Sequence, residues 1–132
     1  MKKVVQSFGY AWEGFVHAII RERNFRTFFV AYFLVLLPIA LVWLPLKGTE
    51  TALLFLAGGM FLAVELLNTA LERLTDAVDE CHCAIHNASS KRHAGLKATK
   101  DIAAAASLVC LVTAFCIAVA VVGPHLVTRI VG

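Results

Sequence analysis

Three long apolar blocks divide the chain: Phe28 to Leu46, Thr51 to about Leu71, and Ile102 to Val122. At about 1.5 Å of rise per residue, the first block alone reaches roughly 28 Å as a helix, close to the hydrocarbon thickness of a bilayer. Ahead of them the pattern changes. Val4, Val5, Phe8, Ala11, Trp12, Phe15 and Ile19 recur at helical spacing, with Lys2, Lys3, Gln6, Glu13, His17 and Arg21 on the other sides. This predicts an amphipathic helix over about 2–23, lying on the membrane surface with Tyr10 and Trp12 in the headgroup zone. Arg21, Glu22, Arg23 and Arg26 form a charged hinge before the first span. The reading is an all-α membrane protein: one surface helix and three transmembrane helices, over about 28–46, 51–71 and 102–122, in a single domain of residues 1–132.

Local signals refine the outline. Pro38 predicts a kink in the first span, and Trp43 with Pro45 marks its far end. Lys47-Gly48-Thr49-Glu50 reads as a short turn, and Gly58-Gly59 as a place where another backbone comes close. The second helix is expected to continue past the bilayer to about Glu80. Residues 81–99 then read as a polar loop, with Asn87-Ala88-Ser89-Ser90 and Gly95 as turn signals. Thr99 is the expected cap of the next helix, with Asp101 in its first turn and Gly123-Pro124 closing the span. The Ala103–Ala106 run reads as a close-packing face.

Composition agrees with a membrane protein: of 132 residues 60% are hydrophobic and only 16% charged, more apolar than a soluble domain of this size needs. The charged start, Met1 to Asn24, does not read as a secretory signal. Lys2, Lys3, Arg21, Arg23, Arg26, Arg73, Lys91, Arg92, Lys97 and Lys100 lie on one side of the predicted spans, and only Lys47 and Arg129 on the other. That asymmetry orients the amino terminus and the 81–99 loop toward the cytoplasm and the carboxyl terminus outward. His125 and Arg129 then read as interfacial anchors. No disulfide framework is expected from Cys81 and Cys83, two residues apart on the cytoplasmic side. Cys81, His82, Cys83 and His86 include soft metal donors, but their spacing is tighter than a regular zinc site uses.

The chemistry gathers on the second helix. At about 100° per residue, Glu65, Asn68, Glu72 and Asp76 fall on one stripe, flanked by Leu62, Ala63, Leu66, Leu67, Ala70 and Leu71. A carboxylate at the centre of a bilayer costs roughly 2.5–3.5 kcal/mol on insertion scales, so Glu65, following an uncharged segment, needs a purpose or a partner. Deep and partly desolvated, it is suited to take a proton from a lipid hydroxyl. Glu72 with Glu22 offers hard oxygens for Mg²⁺, and Lys100 a cation for phosphate. These are the parts of phosphoryl transfer, which needs positioning and charge neutralisation more than covalent help. The blander alternative is a charged membrane rim in which the acids pair with Arg73, Lys97 and Lys100. A non-catalytic oligomeric scaffold or ion-binding protein would need no more than that. No Gly-rich phosphate loop followed by Lys-Ser or Lys-Thr is present, and no nucleic-acid partner is expected.

The run Glu65-Leu-Leu-Asn-Thr-Ala-Leu-Glu-Arg-Leu-Thr-Asp76 resembles the signature of the small prokaryotic diacylglycerol kinase family, which includes undecaprenol kinases. Supporting matches stand in order: Gly9-Tyr10-Ala11-Trp12 with Gly14, Glu22 with Phe25-Arg26, Glu80-Cys81-His82, and Ala98-Thr99-Lys100-Asp101. The resemblance implies a homotrimer in the bacterial inner membrane, with shared active sites and MgATP-dependent phosphorylation of a membrane lipid alcohol, diacylglycerol or undecaprenol. Residue by residue, it implies Glu65 as general base and Glu22 and Glu72 as metal ligands at the nucleotide. Tyr10, Glu80, His82, Lys100 and Asp101 fall at further nucleotide positions, and Lys3, Trp12, Arg26 and Asn68 on the substrate side. The chain departs from the family pattern in three places. About ten residues are inserted near Cys83–Gly95, Lys3 stands where arginine is common, and Ala104 where many members have serine.

Overall fold

The computed structural model describes residues 2–86 and 94–131, with the side chains of Lys2 and His86 left aside. Every regular element among them is helical. Helix α1 spans Lys2–Arg21 and α2 Arg23–Phe29; a π-helical stretch, Val30–Leu36, leads into α3, Leu37–Trp43. Two long helices follow, α4 over Gly48–His86 and α5 over Ala94–Val131. Three helical segments, Arg23–Trp43, Gly48–Ile85 and Ala94–Val131, are long and apolar enough to cross a membrane.

The hinge between α1 and the first span is one residue, Glu22, in extended backbone (φ −99°, ψ 107°). Arg26 fixes the bend by donating to the carbonyl of Ile20 at 3.0 Å, and at 3.5 Å to that of Ile19. These carbonyls end α1, where a helix favours a cation. Pro38 leaves its mark upstream of itself. Its ring clashes with the carbonyl four residues back and supplies no N–H, and the wide π-helical turns just before it relieve that misfit. The segment stops at Trp43, with Leu44, ahead of Pro45, in extended backbone (φ −117°, ψ 140°).

Helices α4 and α5 run antiparallel, as the register of their contacts shows: Glu50 meets His125, Glu65 meets Ser107, and Asp76 meets Lys100. Around their seam the core joins Ala57, Phe61, Leu62 and Ala114 to Ala18 of α1 and Phe25 of α2. Phe25 is wholly buried, edge-on to Phe15, and Phe28 sits edge-on to Phe61 at 4.9 Å. The aromatic run of the first span thus holds α1 against α4. Large apolar side chains such as Val42, Leu56 and Phe115 point outward, the surface expected of helices that face lipid or further helices.

Several local expectations are overturned. Residues 81–86 and 94–99 are helical rather than a polar loop, because nothing from Ala77 to Ile85 breaks a helix; the Asn87–Ser90 turn signals lie outside the described residues. Thr99 is no cap: it lies inside α5 and donates to the carbonyl of Gly95 at 3.1 Å. Asp101 accordingly sits beyond the first turn. Gly123-Pro124 does not end the third span, since α5 continues to Val131. Of the Ala103–Ala106 run only Ala103 is buried. Gly58 makes room for a ring rather than a backbone. A Cβ there would overlap Cε1 of the Tyr32 ring, whereas Gly59 faces open space.

Candidate functional site

The site forms where the hinge, the middle of α4 and the first turns of α5 converge. An 11-residue step brings a helix back to nearly the same face, so Glu65 and Asp76 both point at α5. Glu65 is 6% exposed, and its Oε2 accepts the hydroxyl proton of Ser107, itself buried. Three turns further along, Nζ of Lys100 lies 2.5 Å from Oδ1 of Asp76. Neighbouring Arg73 turns the other way and grips Glu22 at the hinge: Nε at 2.9 Å and Nη2 at 2.5 Å, both to Oε1. The two charge pairs tie α4 to both of its neighbours.

The pairing alternative therefore holds for Arg73 and Lys100 but not for the deepest acid, whose partner is a neutral hydroxyl. Between these contacts lie acceptors with nothing to accept. Oδ1 of Asn68 and Oδ1 of Asp79 are buried without a hydrogen-bond partner among the described residues. Glu72 is half-buried, and its carboxylate joins no bond or ion pair there. Buried polar oxygens are rarely left so, and their concentration at one end of the helix pair marks it as the place for a ligand.

The remaining candidates lie further out. Arg26 is engaged with the end of α1, and Trp12 is exposed beside Phe15, ring centroids 6.0 Å apart. Lys3, Tyr10, Glu80, His82 and Asp101 are exposed. The first two ride on α1, Glu80 and His82 on the last turns of α4, and Asp101 on α5. Among the described residues no three His, Cys, Asp or Glu side chains assemble to hold a metal, so Cys81, His82 and Cys83 form no such site there.

A family model described as prokaryotic diacylglycerol kinase matches residues 9–122. The chain belongs to the prokaryotic diacylglycerol kinase family. It is thus a membrane lipid kinase. A diacylglycerol kinase of Pseudomonas aeruginosa is 34% identical over 84% of this chain and 80% of its own length. One of Synechocystis is 31% identical over 95% of this chain, which spans only 65% of that protein. One of Escherichia coli K12 is 29% identical over 85% and 82%.

Two residues of the candidate site, Ser107 and Asp79, were not singled out by the sequence. Ser107 carries no motif of its own, and only its place four residues after buried Ala103 on the α5 seam could have singled it out. Asp79 extends the acidic stripe by one more turn beyond Asp76, a continuation the periodicity does contain.

Proposed function

We propose that this kinase transfers the γ-phosphoryl group of ATP, with Mg²⁺, to the primary hydroxyl of diacylglycerol, giving phosphatidic acid and ADP. The observation that carries the reading is the buried Glu65 carboxylate on a membrane-spanning helix, held by a neutral hydroxyl and continued by unpaired acceptors toward the ion pairs. Such a line leads from oil to water, where a greasy acceptor and a soluble donor meet.

Glu65 accepts the proton of the lipid hydroxyl as its oxygen attacks the γ-phosphorus, and the bond from that phosphorus to the ADP oxygen breaks. Proton and phosphoryl group are both accounted for, with the negative charge leaving on ADP. Glu72, Glu22 and the orphaned Oδ1 of Asn68 offer hard oxygens, the donor chemistry Mg²⁺ prefers, and Glu22 still has Oε2 outside its bond to Arg73. Fewer than three acids suits this ion, which takes one or two carboxylates and completes its shell with phosphate and water. When bound, it would neutralise charge on the phosphates. Lys100, held beside Asp76, is placed to exchange that partner for a phosphate oxygen.

Nucleotide contacts by Tyr10, Glu80, His82 and Asp101, and lipid contacts by Lys3, Trp12 and Arg26, belong to the same proposal. So does α1 lying on the cytoplasmic face of the bacterial inner membrane, where Val4, Val5, Phe8 and Trp12, all exposed, would find cover. A homotrimer is the proposed assembly, because three spans are too few to enclose both substrates. The test is to reconstitute the protein with labelled ATP, Mg²⁺ and a mixture of diacylglycerol and polyprenol. Label is expected in phosphatidic acid; label in the polyprenol alone would reassign the acceptor, and none in any lipid would end the reading.

A further inference from the structure

We infer that Ser107 is a positioning residue for the reaction, holding Oε2 of Glu65 so that the other carboxylate oxygen, Oε1, is the one left to meet the lipid hydroxyl. The inference rests on Glu65 being the base, and goes beyond it by assigning a role to a residue of α5.

The contrast with six other serine and threonine hydroxyls of the chain carries the argument. Ser7, Thr27, Thr75, Thr99, Thr113 and Thr128 each donate to a carbonyl three or four residues back in their own helix. That local bond is the ordinary resting place of a hydroxyl in an apolar helix, where no water competes for it. Ser107 instead sends its proton across the seam to α4. A buried serine that gives up the local carbonyl for a carboxylate is stabilised by the stronger, charge-assisted bond. Both groups are 6% exposed, so water does not offer the carboxylate an alternative donor.

Geometry then divides the carboxylate. A Glu side chain has three rotatable bonds, and a base that wanders among rotamers spends little time where a bound alcohol can reach it. With Oε2 tied to α5, the head group turns only within the arc that bond permits. No donor from the described residues engages Oε1. Ala103 and Ala114, on the same helix, are buried with Ser107, so the hydroxyl lies within the closed part of the seam.

The experiment measures steady-state kinetics of Ser107→Ala, Ser107→Thr and Glu65→Gln in vesicles containing diacylglycerol, with thermal unfolding in detergent as the check on folding. Ser107→Ala is expected to lower kcat about tenfold or more, the loss of one charge-assisted hydrogen bond at a reacting group, with KM for ATP unchanged. Ser107→Thr, which keeps the hydroxyl, should recover most of that loss. A Ser107→Ala protein with unaltered kcat would overturn the inference, as would a kcat loss that Thr does not recover while unfolding stays at the parent temperature. If Glu65→Gln retains full activity, the base assignment itself falls. If Glu65→Gln is inactive and Ser107→Ala is not, only the role of Ser107 falls.

Discussion

The two ends of the α4–α5 pair are both rich in polar contacts, but they leave very different remainders. At the end near the Lys47–Glu50 turn, Glu50 accepts the Lys47 N–H at 2.7 Å and meets Nε2 of His125 at 3.1 Å. Arg129 lies 5.7 Å over the Trp43 ring and donates to the Trp43 carbonyl, and Tyr32 donates to the Leu54 carbonyl at 2.7 Å. The cavity beside them, about 490 Å³, is walled almost wholly by apolar side chains such as Leu36, Val119 and Val122. At the other end Asn68, Glu72 and Asp79 are left holding oxygens that nothing in the described chain satisfies. One end is finished by the protein alone. The other keeps acceptors open, which the proposed function fills with substrate and metal.

The sharpest way to break this contrast is Glu65→Gln. The amide keeps an oxygen for the Ser107 hydroxyl, so the helix seam should survive. It cannot take a proton, and loss of a general base typically costs about 10²–10⁴ in rate. We expect lipid phosphorylation to fall by that order while the unfolding temperature in detergent stays within a few degrees. Substantial transfer by the variant would mean the buried acid is a fastening too. Next in size is Glu72→Gln, which removes one of the proposed hard oxygens. The Mg²⁺ concentration for half-maximal activity should rise several-fold, with folding unaffected; an unchanged metal dependence would take Glu72 out of the metal site.

How much of this was legible beforehand differs between the two ends. Glu65, Asn68, Glu72 and Asp76 could be read as one stripe because helical periodicity alone sets which residues share a face. The spans were legible because bilayer thickness sets their length. What periodicity cannot say is which neighbour a face meets. Arg73 could have paired with any acid of the rim, and its choice of Glu22 depends on the one-residue bend that the hinge makes. Ser107 was invisible for the same reason: a serine in an apolar run has many uses until another helix brings a carboxylate to it. Tyr32 and Gly58, far apart in the chain, gave no hint of each other. Residues 81–86 and 94–99 are helical despite their polar composition, because polarity alone does not break a helix; at about 1.5 Å per residue the 39 residues of α4 reach roughly 58 Å, well past a bilayer's hydrocarbon.

Two smaller effects sharpen the description of the finished end. Gly58→Ala should destabilise the fold by about 1–3 kcal/mol, the usual cost of overpacking, because the new methyl would overlap the Tyr32 ring rather than a flexible tip. Gly59→Ala, facing open space, is its control and should be neutral or stabilising by up to about 1 kcal/mol through helix propensity. Equal losses from the two would mean that both glycines serve contacts of another kind.

The smallest expected change is Tyr32→Phe. The ring that fills the notch at Gly58 remains, and the Leu54 carbonyl lies inside α4, where it keeps its own helical hydrogen bond. Only the 2.7 Å bond is lost, so the cost should be about 1 kcal/mol. Its value lies in combination. With the hydroxyl no longer anchored to Leu54, the ring can swing away from a methyl at position 58, so the Tyr32→Phe, Gly58→Ala double variant should be more stable than the sum of the single losses predicts. Strict additivity in thermal unfolding would show that the notch and the hydrogen bond act independently. In that case the ring, rather than the bond, is what holds the first span to α4.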